Sequence, residues 1–445
     1  MTRTRRRHLR VAAVLIGLIV LAAACGSDNK PAASSSASKA PASKKGALAG
    51  TKGTTPLVDL PADFKAKLDA QGLNNANTYN YGAESYDATI IIALAADVAG
   101  SDGIDMAKAI NGVTRGGTKC TTYKQCSDLV KAGTKDIDYD GQSGPGEFSG
   151  NGEPTVASYG IQVFDANNRI DDSKTTYKTA KAPASADVPE VPVEGTRAGD
   201  GTLKIGTLLP ETGSLAFLGP PMRSGVRLAV KEINEAGGAV GKDVVVTEGD
   251  SSDAQNPTVA TQTVDRELGE GVDAIIGAAS SAVTLNVIDK VTSAGVAMFS
   301  PANTSKKLSS YPDKGLYFRD APSDILQGQV LGELLASDGV TTAGLLVLND
   351  AYGTGLAEDF TKAFEASGGK VTKSVIYDPK AQTFDNEVDQ VKGSNPEAVI
   401  LISFDEASRL LATMVEKGLG PSDVKVYGVD GWMGNTAGQN FDAGK

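Results

Sequence analysis

Ser280, Ser281 and Thr304 are the residues whose types and spacing are best suited to holding a small anion. They lie in Asp273–Ser305, D-A-I-I-G-A-A-S-S-A-V-T-L-N-V-I-D-K-V-T-S-A-G-V-A-M-F-S-P-A-N-T-S. Ala274–Ile276 is a short apolar run closed by Gly277. Val283, Val287 and Val291 then recur at helical spacing, and Val296–Phe299 is apolar again, so the stretch reads as strand, helix, strand. The hydroxyls therefore fall in small-residue turns at the carboxyl ends of strands, Ala278–Ser281 and Ser300–Ser305. Ser281 opens a helix, where unpaired N–H groups and the helix dipole favour an anion. Ligands of open α/β sheets bind at that edge. The same hydroxyls would also serve as helix N-caps, and spacing alone leaves both readings open.

Nucleophilic chemistry at Ser281 needs a base that the chain does not supply. His8 is the only histidine, and it stands among Arg3, Arg5, Arg6, Arg7 and Arg10 ahead of the apolar run Val11–Ala24. That pattern is a secretory signal, too short and too poorly flanked for a membrane span. With the signal removed no imidazole remains, which excludes Ser-His-Asp and Cys-His enzymes and leaves zinc without a ligand set. Nor is there a nucleophile-elbow motif for a hydrolase. No catalytic residue, metal site or cofactor is expected. The signal ends L-A-A-A-C-G-S, which resembles a bacterial lipoprotein signal with Cys25 as the lipidated residue. Cys120 and Cys126, in C-T-T-Y-K-Q-C, are expected to form a small local disulfide, because nothing nearby completes a metal site and export permits oxidation. The formal charge is −11, and losing five arginines takes it to −16 (−11 − 5). An acidic balance without a basic cluster argues against nucleic acid.

The elements that must position these residues follow from periodicity. Gly26–Lys45 is Ser, Ala, Lys and Pro, a tether. Helices are expected at Ala62–Leu68, Ser85–Val98 (apolar nearly all round, hence buried), Met106–Val113 and Ser127–Lys131, and a strand at Val156–Phe164. Asp171–Asp200 reads as a linker. From Leu203 onward strands and helices alternate in two runs. The first has strands at Leu203–Leu209, Asp243–Glu248, Ala274–Ile276 and Val296–Phe299; the second has Leu345–Leu348, Lys373–Tyr377, Ala398–Ile402 and Val424–Tyr427. The rhythm implies parallel sheets covered by helices, and the break near Tyr317–Pro322 implies two lobes.

The stretches I-G-T-L-L-P-E-T-G-S-L-A-F-L-G, S-G-V-R-L-A-V-K-E-I-N-E-A-G-G, S-P-A-N-T-S, N-D-A-Y-G-T-G-L and Y-G-V-D-G-W, in that order, resemble the extracytoplasmic solute-binding proteins of type I fold, specifically the branched-chain amino acid binding family of ABC transporters. The segment Y-N-Y-G-A-E-S-Y-D-A-T-I-I-I-A-L-A, with D-I-D-Y-D-G-Q-S-G-P and Y-G-I-Q-V-F-D, resembles that family's carboxyl-terminal third, yet here it comes first. The resemblance therefore implies an α/β, two-lobed type I periplasmic-binding-protein fold in circularly permuted order; the alternative is the tail of one copy joined to a truncated second copy. The implied organisation is a signal peptide at 1–24, a flexible tether at 25–47, first-lobe sequence at 48–145, second-lobe strands at 146–170, a linker at 171–202, the first lobe at 203–321 and the second at 322–445.

Family roles map onto matching positions. Ser281, Ala302 and Thr304 match the first-lobe groups for a ligand's α-carboxylate and amino group, and Asp430 the second-lobe carboxylate that pairs with the ammonium. Tyr352 matches an aromatic wall, and Phe404 lies near another. Leu218 falls where the family often has Tyr, with Phe217 beside it as a substitute. The resemblance implies a lipid-anchored, monomeric, non-enzymatic binding protein that delivers an amino acid, aliphatic or branched-chain, to an ABC permease. A sensor ectodomain for amino acids or amides, acting through a membrane partner, is the alternative. Trp432, two residues beyond Asp430, is expected at the cleft edge.

Overall fold

The computed structural model describes residues 45–73, 79–182 and 189–445, all within the unit Pro41–Lys445. The signal, Cys25 and most of the tether lie outside the described residues. The strands in chain order are β1 (Lys52–Pro56), β2 (Thr118–Cys120), β3 (Ile137–Tyr139), β4 (Val156–Val163), β5 (Thr176–Lys181), β6 (Lys204–Leu209), β7 (Val245–Asp250), β8 (Ala274–Gly277), β9 (Ala297–Ser300), β10 (Tyr317–Arg319), β11 (Thr342–Leu348), β12 (Lys370–Tyr377), β13 (Ala398–Ile402) and β14 (Lys425–Val429). Two large sheets result. One has the order β10-β9-β8-β6-β7 and is wholly parallel. The other has the order β12-β11-β13-β14-β1-β4-β5, parallel from β12 to β1, with β4 and β5 antiparallel. β8, β9 and β13 are buried throughout, as strands covered on both faces must be.

The amino-terminal 125 or so described residues complete both lobes. β1 inserts between β14 and β4 in the second sheet, with Thr54 opposite Val429 and Ile161. The helix Gly82–Ala99, buried from Gly82 to Ala96, packs in the first lobe against the helix Gly219–Glu235 and against β8 and β9. Gly225 permits that approach, since a Cβ there would overlap the Gly82 carbonyl oxygen. In the second lobe Gly53 leaves room for the Met433 side chain. Asn168 ties the outer segments together: its Oδ1 accepts from Leu48 N at 3.0 Å and its Nδ2 donates to Asp442 Oδ1 at 2.6 Å.

Three expectations are corrected. Leu48–Pro56 belongs to the second sheet rather than the first lobe, because Gly53–Pro56 is a buried strand; the chain passes to the first lobe at 57–61, before the helix Ala62–Asp69. Residues 148–155 lie against β10 rather than with the second-lobe strands, since Gly152 O accepts from Arg319 N at 2.9 Å. The 171–202 linker is not structureless. Thr176, Tyr177 and Thr179 favour a strand, and β5 pairs with β4 along Thr176–Lys181. Residues 189–202 then lie on the first lobe: Asp102 accepts from the N–H groups of Asp200, Gly201 and Thr202 at 2.9–3.0 Å, and Arg197 meets Asp273 at 3.1 Å. Cys120 and Cys126 are joined by a disulfide at the end of β2.

Candidate functional site

Four helix starts meet between the lobes. In the first lobe the helix Ser281–Ser293 is capped by Ser280, whose Oγ accepts from Val283 N. Ser281 is thus free of the capping role, and its Oγ accepts from Ser305 N at 3.3 Å. The 300–305 loop is stapled to the 277–281 turn. Ser300 Oγ donates to Ala278 O at 2.6 Å, and Asn303 Nδ2 donates to Ala278 O and Ala279 O at 2.9 Å each. Arg319 holds the far side of the loop, donating through Nη1 to Asn303 O at 3.2 Å and Ser305 O at 3.0 Å. These bonds bury Ala302 and Thr304 beside Ser281.

The other three helices start at Gly82, Asp324 and Ala351. Tyr81, ahead of the first, takes a left-handed φ of 60° and donates its hydroxyl to Asp430 Oδ2 at 2.6 Å. Tyr352 donates to Asp430 Oδ1 at 2.7 Å, and Gln327 Nε2 donates to the same oxygen at 2.8 Å. The Tyr352 ring stacks on Phe404, centroids 5.3 Å apart and 11° from parallel. Burial raises the Asp430 pKa, and the Tyr81, Tyr352 and Gln327 hydrogen bonds oppose the rise. Burial, then the Asp430 charge, pushes both phenols well above their ordinary value, so they remain donors.

Sequence reasoning missed Asp324. It is fully buried, its pKa is raised well above the usual carboxylate range by burial and then by the Asp430 charge, and no donor meets either of its oxygens at hydrogen-bond geometry. The Thr304 hydroxyl lies alongside and offsets part of the rise, yet it too lacks a hydrogen-bond partner. Tyr159 OH, which feels both Asp324 and Asp430, and Gln327 Oε1 are likewise buried and unpartnered. Buried polar groups are nearly always paired, so these four residues around Asp430 are the candidates for contact with a polar ligand. The sequence signal was Asp324 at a helix start directly after the lobe crossing; burial could not be read there. Tyr81 and Tyr159 come from the amino-terminal segment and were missed for the same reason.

Other expectations fare differently. Leu218 ends the short 3-10 turn Ala216–Leu218 and is buried in the core, with Phe217 half-buried beside it; among the described residues no ring contact joins Phe217 to Tyr352 or Phe404. Trp432 is not at a cleft edge. It is 1% exposed, donates to Leu401 O at 2.8 Å and stacks on Phe164, because the turn after β14 folds back under the sheet. Among the described residues, the one carboxylate cluster with metal-ligand spacing, Asp138, Asp140 and Glu147, surrounds the Lys119 ammonium. No described helix is long and apolar enough to cross a membrane.

Two α/β lobes, one with a wholly parallel sheet and the other with a largely parallel one, bring polar side chains together around Asp430. A family model described as periplasmic binding protein matches residues 202–439, more than half of the chain. The chain belongs to that family. "Leu/Ile/Val-binding protein homolog 1" of Brucella abortus is 31% identical over 178 residues, 39% of this chain and 46% of that protein. The "leucine-, isoleucine-, valine-, threonine-, and alanine-binding protein" of Pseudomonas aeruginosa is 29% identical over 238 residues, 53% of this chain and 62% of that one. The chain thus spans about half the length of the curated relatives it matches. Among solved structures, a branched-chain amino acid transporter substrate-binding protein of Streptococcus pneumoniae in complex with isoleucine aligns at 27% identity and a TM-score of 0.48, over 54% of this chain and 67% of that one.

Proposed function

We propose that this protein captures a small amino acid, aliphatic or branched-chain, between its lobes and delivers it to an ABC permease, held at the membrane by a lipid on Cys25. The observation that carries the reading is the pair of buried carboxylates, Asp324 and Asp430, with Asp324 unpartnered and the Thr304 hydroxyl beside it from the first lobe. In this reading the ligand ammonium lies between the carboxylates and the Ala302 carbonyl. Its carboxylate lies at the start of the Ser281 helix, where N–H groups and the dipole compensate the charge. Tyr352 and Phe404 wall the side chain. The names of the relatives support an aliphatic ligand. The test is thermal unfolding of the mature protein against amino acids, amides and des-amino acids. A ligand at a hundred times its dissociation constant stabilises the fold by about 2.7 kcal/mol. If none of the aliphatic amino acids moves the transition, the reading fails.

We further propose that the elements run in circularly permuted order, so that 45–170 and 203–445 form one protein rather than two broken copies. The insertion of β1 beside β14 and the packing of Gly82–Ala99 on Gly219–Glu235 support this. A chain cut at an engineered protease site between residues 182 and 189 is expected to elute as one particle, with Trp432 emission unchanged because its Phe164 partner stays in place. Separation of the two fragments, with a red shift of that emission, overturns the permuted reading.

A further inference from the structure

Besides the groups around Asp430, the two lobes touch at a second place, outside the proposed ligand site. Lys306 follows directly on the 300–305 loop of the first lobe. Its ammonium lies 2.9 Å from Asp359 Oδ1 and 2.8 Å from Glu358 Oε2, both on the second-lobe helix Ala351–Ala366. Next to it, Ser305 Oγ donates to Ala351 O at 2.9 Å. We propose that Lys306, with Asp359 and Glu358, is an interlobe latch that sets how much of the protein is closed before ligand arrives. The proposal rests on the reading of the cleft as the ligand site.

Most surface ion pairs contribute little, because two long side chains must be ordered and water screens them. This one differs in three respects. Asp359 is only 11% exposed and Lys306 29%, so screening is reduced. Both backbones are already held in place: Arg319 grips the carbonyls of Asn303 and Ser305, and the close approach of Gly328 packs the helix Asp324–Ser337 against Asp359 and Phe360. Finally, opening the lobes must break the pair and leave the largely buried Asp359, whose Oδ2 already lacks a partner, without its ammonium. The pair therefore exists only in the closed form and weights it. Lys306 has no bond to Ser281, Thr304, Asp324 or Asp430, so its direct effect falls on the closing equilibrium, while the Asp359 charge also adds to the rise of the Asp324 pKa. Apparent affinity scales with the fraction of protein that can close, and every ligand is affected by the same factor.

The test begins with ligand-free protein and small-angle X-ray scattering, which reads lobe separation whatever the ligand is. Lys306→Met is expected to shift the scattering towards the open form. Leucine is then expected to dissociate about three- to tenfold faster, and valine by the same factor. The swap Lys306→Glu with Asp359→Lys is expected to reclose the ligand-free protein; if thermal unfolding shows that the swap does not fold, Asp359→Asn is expected to open it as Lys306→Met does. Scattering from Lys306→Met identical to the parent overturns the latch, as does a folded swap that stays open or an Asp359→Asn that stays closed. Failure of leucine and valine to bind even the parent would count against the proposed function, while the scattering would still decide the latch.

Discussion

Arg319→Met is expected to destabilise the protein by about 3–5 kcal/mol, the usual consequence of removing one member of a buried ion pair. The Arg319 guanidinium is fully buried, and its Glu153 partner is 12% exposed. Burial alone would discharge Arg319, but Glu153 outweighs it and holds the group charged. The pair joins residues 148–155 to β10, and the same guanidinium donates to Asn303 O, Ser305 O and Ser309 Oγ. Methionine fills much of the volume but leaves Glu153 without its cation, Asn303 O without its donor and Ser305 O with Leu308 N alone. Destabilisation is therefore expected to be joined by weaker ligand binding, because the 300–305 loop loses its outer support. Adding Glu153→Leu to Arg319→Met removes the stranded charge and is expected to restore part of the stability. Urea denaturation of the parent and the two variants decides the matter. A loss below about 1 kcal/mol in the single variant would reduce this pair to the rank of a surface contact.

What the sequence made legible followed from periodicity. Buried parallel strands such as β8 and β13 are continuous apolar runs between turns, and the helix Gly82–Ala99 announced its burial by being apolar nearly all round. β1 was not legible, because Lys52-Gly-Thr-Thr-Pro has no alternation; its burial is imposed by β14 and β4 on either side, which are far away in sequence. β5 hid inside a Lys- and Thr-rich stretch, where a half-exposed edge strand looks like a tether. The docked segment 189–202 is held by backbone donors to Asp102, a contact that leaves no trace in residue type. The strand-turn-helix pattern put Ser281 at a helix start and Thr304 in the turn after a strand, where the structure has them. Trp432 and Asp324 were not so placed, since two residues of separation from Asp430 say nothing of which side of the sheet the turn folds to, and a helix-start aspartate ordinarily faces water. Both errors have one cause: burial belongs to the packed lobes rather than to the local segment.

Asp324→Asn is expected to abolish most binding of amino acids while stabilising the ligand-free protein. The first effect follows from removing one charge that faces the ligand ammonium, for which truncating one partner costs on the order of 2–5 kcal/mol; des-amino acids of the same shape should lose far less. The second follows from linkage. The folded-state pKa of Asp324 is raised far above the unfolded value, so the stability its protonation contributes is fully present below an unfolded pKa of about 3.9 and is lost as pH rises through the folded value. Asparagine cannot ionise, so the variant and parent should have similar pH-dependent terms in acid and diverge in the variant's favour towards neutrality. Asp430→Asn should behave differently. Its carboxylate already accepts from Tyr81, Tyr352 and Gln327, and an amide in its place turns an N–H₂ towards at least one of those donors. That variant should therefore lose both amino acid binding and stability. Thermal unfolding across pH, paired with calorimetric titration of leucine and its des-amino analogue, separates the two roles. Equal losses for both ligands would remove Asp324 from ammonium recognition. A parent-like pH profile in Asp324→Asn would show that the carboxylate is not held unpaired between the lobes, and the case for a buried ligand-facing charge would rest on Asp430 alone.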